Sequence, residues 1–301
     1  MSQSTLTDYL APTLDAAAHR VPTTVPKPRF PHITWVGLTI LAFFIVVAVF
    51  APWLVPYNPS AFAAPPLQPP SAEHLLGTND AGQDIFSELI YGTRVSLLVA
   101  AVTSLLILGV ATLIGTLAGY SGGVVDAGLM RFVDVMLAIP RLPLMIVIAA
   151  YAGAGLTQII LIIALFSWPI SARLIRSEVL SLRYRLHVQA ARSFGGGARY
   201  IITRHLIPAL APILITTLVI QAGRAVLTEA GLAFLGLGDP TIKSWGLMIR
   251  YALSFSGIYF GSYWVWWLLP PGLCLTALLL GLTFMGQGLE AWANPRLERH
   301  R

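Results

Sequence analysis

The chain has 301 residues, of which 56% are hydrophobic and only 11% charged, with a mean hydropathy of +0.74. Soluble domains carry about a quarter charged residues, so too little polar surface remains to wrap one or two water-soluble globules, which excludes a secreted disulfide scaffold, a disordered chain and most soluble enzymes. Nineteen Lys+Arg against thirteen Asp+Glu leave +6, a basic balance that has to be mapped onto the apolar blocks before any polyanionic partner is considered.

Those blocks have the length of a bilayer's hydrocarbon layer, about 20 residues per helix, and the chain reads as an all-α polytopic membrane protein with six spans. Residues 1–34 are polar and proline-containing and do not form a cleavable signal peptide. Trp35–Leu54 is the first span, a signal-anchor, and Pro56–Pro70 follows as an extended linker. The remaining spans are Ser96–Gly119, Val133–Ala152, Leu156–Ser171, Pro208–Thr228 and Trp264–Gly286. The third contains Pro140, Arg141 and Pro143, which kink a helix and free a carbonyl. The units are therefore an N-terminal segment 1–34, a first helix with linker 35–95, a core 96–290 with a loop 173–207, and a tail 291–301. Cys274 lies in an apolar run and reads as a small packing residue.

Arginines orient the chain. Arg173, Arg176, Arg183, Arg185, Arg192, Arg199 and Arg204 lie between spans four and five, opposed only by Glu178. Positive loops stay in the cytoplasm, so this loop and both termini are expected inside a cytoplasmic membrane. Topology accounts for the charge, and no nucleic acid is expected as a partner. Trp264, Trp266 and Trp267 would mark the outer interface of the last span. No glycine precedes Lys27 or Lys243, so there is no P-loop. His19, His32, His74, His187, His205 and His300 have no metal-ligand spacing, and no nucleophile elbow or zinc helix appears. The chain is expected to be no enzyme, with its energy coming from outside it or from an ion gradient.

Within the 173–207 loop, Ser181–Ser193 has a helical pattern with apolar positions at Leu182, Val188 and Ala191. Gly195-Gly196-Gly197 breaks it, and Tyr200–Ile207 resumes a helix up to Pro208. Such an element could seat in a partner's groove, the small Ala190 and Ala191 allowing close approach, or it could be a solvated amphipathic segment with a hinge.

Gln189-Ala190-Ala191, then Gly195, then Pro208 resembles the EAA loop of ATP-binding-cassette importer permeases. The chain is similar, more closely, to the C-type permease subunit of the dipeptide, oligopeptide and nickel importers. Further segments carry the likeness: Leu76–Asp84, Tyr91–Leu97, Gly119–Gly123, Arg131–Asp134, Arg204-His205, Phe234–Gly238, Ser244-Trp245-Gly246 and Asn294-Pro295-Arg296. Three positions depart from the family pattern, with Gln189 for glutamate, Ile207 for leucine and Gln83 for arginine. The resemblance implies a MetI-like core with an extra N-terminal helix and a pore shared with a homologous B-type permease. It also implies two partner ATPases that bind ATP and magnesium, and an extracytoplasmic binding protein that delivers peptides, nickel chelates, haem or a similar ligand. This chain itself would hold no cofactor. Gln189, Ala190, Ala191, Arg192, Gly195, Arg199 and Pro208 would couple it to the ATPases, with Arg192 and Arg199 at the rim of the contact.

Charges within spans are costly and point to function. Arg141, at a position where the family carries a small or apolar residue, would face the pathway and meet an anionic group, or else pair with Asp134 or snorkel to an interface. Arg224 would pair with Glu229 or with an acid of the partner subunit. Asp80 and Asp84 suit a helix N-terminus or a docking contact with the binding protein, and the Gly119–Gly123 and Gly236–Gly238 stretches suit tight turns. A gradient-driven secondary transporter would show inverted repeats, and none is evident.

Overall fold

A computed structural model describes residues 31–293, and among them the regular structure is helical apart from one isolated antiparallel bridge, Thr78–Asp84. Asn294-Pro295-Arg296 and the two polar ends lie outside the described residues. Helix α1 is His32–Leu54, α2 Ile85–Ser121, α3 Gly123–Ala138, α4 Arg141–Ala152, α5 Leu156–Leu182 and α6 Leu186–Ser193. Helix α7 runs over Ala198–Phe234, α8 over Trp245–Ser254, and α9 is a π turn Trp264–Leu268 continued by Leu269–Ala293. Five helices are long and apolar enough to cross a membrane, and α3 with α4 would make a sixth.

The helices outrun the expected spans. Helix α2 begins at Ile85 rather than Ser96 because Asp84 caps it, its carboxylate accepting from the Ser87 amide at 2.8 Å. The expected single span Val133–Ala152 is instead two helices bent by 80°. The cause is Pro140: the residue before a proline is driven out of the helical region, and Ile139 sits at φ −76°, ψ 133°. The expected helix Ser181–Ser193 is likewise divided, its first two residues finishing α5 before a turn at Arg183–Arg185. The Gly119–Gly123 stretch does hold a turn, since Gly122 and Gly123 adopt φ +67° and +54° between α2 and α3.

Two π turns share one origin. Ile202–Leu206 and Trp264–Leu268 each end two residues before a proline, Pro208 and Pro270. A proline offers no amide to the preceding turn, and the backbone rearranges to the wider i→i+5 pattern, as in the Ile207 amide bonding the Ile202 carbonyl.

Packing places α2 against α1, α5 and α7, while α9 lies between α1 and α7. Helix α1 buries the single stripe Thr34, Gly37, Phe44 and Ala51 and exposes Phe43, Val46, Val49 and Trp53. At Gly37 a Cβ would come within 2.6 Å of the Gly281 carbonyl, and at Gly115 within 2.6 Å of the Ala172 carbonyl. Small residues at these crossings let backbones meet, the usual basis of helix association in lipid. One apolar cluster joins Phe44, Ile85, Trp245, Met248 and Trp267 at one end, here the cap end. Another joins Ile107, Trp168, Ile175, Val179, Val188, Ile201 and Leu206 at the opposite, loop end.

Candidate functional site

The loop end is built on α6. Val188 is 3% exposed and packs with Val179, Leu182 and Ile201, so one side of this short helix is part of the bundle. The helix closes in a Schellman motif: the Gly196 amide bonds the Ala191 carbonyl at 3.0 Å and the Gly195 amide bonds Arg192 at 3.1 Å. Gly195 takes φ +83°, which a side chain disfavours, and a Cβ on Gly196 would lie 2.7 Å from the Ala191 oxygen. The glycine run is therefore a fixed helix end joined to α7 at Ala198, not an open hinge.

Two side chains brace the preceding turn. Arg183 donates to the Gly119 carbonyl at 3.0 Å, tying the loop to the end of α2. Gln189 donates from Nε2 to the Tyr184 carbonyl at 3.2 Å, a bond that an ionised glutamate, having no donor, could not make. The substitution that departs from the family pattern thus stiffens the loop internally.

The outward face of α6 is apolar. Leu186 is 85% and Phe194 90% exposed, with exposed Ala190 between them and Tyr184 nearby in the turn. Gln189, Arg192, Arg199 and Pro208 are also exposed and Ala191 is half-buried. Leu182 and Val188 are buried as their apolar positions foretell. Leu186 and Phe194 were not singled out from the sequence, although Leu186, Ala190 and Phe194 recur every four residues and so share a face.

Two of the pairings that the sequence left open, Arg141 with Asp134 and Arg224 with Glu229, are not made. Asp134 accepts from Arg173 Nη2 at 2.5 Å, both side chains about half exposed, so Asp134 pairs with α5 and not with Arg141. Asp126 takes two bonds from Arg176, at 2.5 and 2.6 Å, a bidentate link between α3 and α5. Arg141 is exposed at the start of α4 beside the 80° bend. Arg224 does not meet Glu229, which is buried beside Ser244. It is exposed instead on the α7–α9 side and lines a cavity of about 470 Å³. Neither arginine's guanidinium has an internal partner among the described residues.

At the cap end, segments far apart in sequence converge. His74 and the Ser87 amide hold Asp84. Lys243 reaches Glu88 and Gln83 at 2.7 Å each, while Asn79 contacts Glu88 at 3.3 Å and Gln83 at 3.0 Å. Trp245 Nε1 donates to the Leu89 carbonyl at 3.0 Å. Gln83 accepts where an arginine would set a second cation against Lys243. Asp84 is therefore a helix cap, as the sequence suggested, and Asp80 remains exposed.

Residues 111–299 match the family described as binding-protein-dependent transport system inner membrane component, and residues 32–70 match the N-terminal TM domain of oligopeptide transport permease C. The dipeptide transport system permease protein of Alkalihalophilus pseudofirmus is 40% identical over 272 residues, 87% of this chain and 86% of the relative. The nickel transport system permease protein of Escherichia coli K12 is 37% identical over 264 residues, 87% of this chain and 93% of the relative.

Proposed function

The chain belongs to the inner membrane components of binding-protein-dependent transport systems, and from that membership we propose that it is the C-type permease of an importer moving peptides, driven by separate ATPases. The observation that carries the coupling is α6: one face is locked into the bundle through Val188, the helix end is closed by Gly195 and Gly196, and the face bearing Leu186, Ala190 and Phe194 is uncovered. A force applied to that face reaches α5 through Val188 and α2 through Arg183 without being absorbed in a flexible link. Gln189, Ala190 and Ala191 lie at the contact, Arg192 and Arg199 border it, and Gly195 and Pro208 shape the two ends of the segment.

The arginine-rich loop end faces the cytoplasm by the positive-inside rule, and both termini lie on that side. A homologous B-type permease completes the pore, two ATPases bind ATP and magnesium, and an extracytoplasmic binding protein loads the cap end. The permease hydrolyses nothing itself and holds no cofactor. Arg141, Arg224 and Asp134 belong to the translocation pathway, with Asp134 held by Arg173.

Import of nickel chelates is the second reading, favoured by the nickel permease relative. Reconstituting the chain with its second permease, ATPases and binding protein in vesicles tests the proposal. ATP-dependent dipeptide uptake and Phe194 cross-links to an ATPase are the expected results. Uptake that proceeds without ATP hydrolysis and collapses with an uncoupler would refute it.

A further inference from the structure

Lipid-facing surface and solute-facing surface differ in polarity, and the exposed sides of this bundle differ in that way. The outward residues of α1 are apolar, among them Phe43, Val46, Val49 and Trp53, and so are Leu98, Leu105, Val110 and Leu113 on α2. The outward side of α9 is apolar at Leu273 and Leu280 but carries Thr283, Gln287 and Glu290 in its last turns, three and four residues apart and so on one face. They border the cavity of about 470 Å³ between α7 and α9, with Arg224 and Ile220 opposite.

Arg224 lies within the Ala198–Phe234 span, and its cavity reaches along α9 from Leu279 to Glu290. A guanidinium within a spanning helix is costly, and no described acid lies within ion-pairing distance of it, Glu290 standing on the opposite wall of the cavity. The cavity falls in the ~300–1,000 Å³ range of small-molecule sites and is far larger than one carboxylate side chain needs. Its walls are apolar at Ile220, Leu279 and Leu282 and polar at Thr283, Gln287 and Glu290. The combination suits a solute that brings a carboxylate to Arg224 and carries apolar substituents.

We propose that Arg224 is a carboxylate-recognition residue of the translocation pathway, binding the C-terminal carboxylate of a peptide in the α7–α9 cavity. This rests on the importer reading above and adds to it a specific ligand group and a place. Gly223 leaves the cavity open at its floor, since a Cβ there would have only Leu282 atoms near it, at 3.7 and 3.9 Å.

The test uses the whole complex in proteoliposomes with its binding protein, labelled dialanine and trialanine, and their C-terminal amides as probes. Arg224→Gln is expected to lower uptake of the free acids about tenfold or more, the scale of a lost charged hydrogen bond, and to shrink the acid-over-amide preference. Arg224→Lys keeps most of that preference. Gly223→Leu, which fills the cavity without a clash at Cβ, lowers uptake of acids and amides alike. Because the binding protein is the same in every case, a change in the acid-to-amide ratio belongs to Arg224. An unchanged ratio in Arg224→Gln overturns the proposal while leaving the importer reading intact. Loss of the second permease from purified Arg224→Gln complex overturns it in favour of an intersubunit ion pair, and a defect confined to vesicles with anionic lipid overturns it in favour of a headgroup. No ATP-driven uptake of any probe by the parent complex removes the importer reading and this site together.

Discussion

Lys243→Met removes one ammonium from a site that has little water to replace it. The Lys243 and Glu88 side chains are 8% and 2% exposed and 2.7 Å apart, so the carboxylate would be left with a single weak contact from Asn79 at 3.3 Å. Stranding one member of a buried pair costs about 3–5 kcal/mol. At about 2–4 °C per kcal/mol for a chain of this size, that is on the order of 10 °C in melting temperature. Glu88→Gln combined with Lys243→Met removes both charges, keeps the shape, and is expected to recover most of the loss. The single thiol of Cys274, half-buried in α9, reports unfolding of the purified chain through a thiol-reactive dye. The reasoning fails if Lys243→Met melts with the parent, or if the double variant is no more stable than the single one.

Asp126→Asn should cost about 1.5–3 kcal/mol, the value of a hydrogen bond to a charged group, and lower the melting temperature by the same dye measurement. Gly115→Leu should destabilise by at least the ~1–3 kcal/mol of an overpacked core, since α2 and α5 cannot separate without opening the Ile107–Trp168 cluster; a parent-like melting curve would contradict this. Phe194→Asp, at a position 90% exposed, should melt like the parent yet lose most binding-protein-stimulated ATP turnover in the assembled complex, and normal turnover would count against the α6 contact. With Cys274→Ser as background, a cysteine at Ser71 should react with an impermeant reagent in intact cells and one at Ser193 should not. The reverse pattern would invert the topology.

The sequence carries the class of this protein more plainly than its joints. Apolar runs and loop arginines suffice for helices, spans and a special segment between the fourth and fifth, because burial in lipid leaves the backbone few alternatives. Helix ends were less visible. Glu88 and Thr93 look too polar for a span, yet α2 begins at Ile85 because Asp84 caps it, Lys243 pairs with Glu88 and the Thr93 hydroxyl donates to the Leu89 carbonyl, and Lys243 is 155 residues beyond Glu88. The bend at Pro140 was foreshadowed by its proline, but the 80° angle depends on where Met145 and Ala149 find their bed among Ile159, Ile163 and Leu232. Partner choice for charges was the least legible, since Asp134 meets Arg173 across 39 residues, a distance that no local spacing rule reaches. The face made by Leu186 and Phe194 was readable in principle, because its period is four.

The two π turns sit at opposite ends of neighbouring helices, α7 loosened at the loop end and α9 at the cap end. A rod weakened at its foot beside one weakened at its head can tilt in a complementary sense, so that the crevice between them opens toward one side of the bilayer while narrowing toward the other. Amide exchange in the assembled transporter should accordingly be fastest in these spans around Ile202–Leu206 and Trp264–Leu268, and should rise and fall there with the nucleotide cycle. Restoring a backbone donor through Pro208→Ala or Pro270→Ala should stiffen only one of the two strokes.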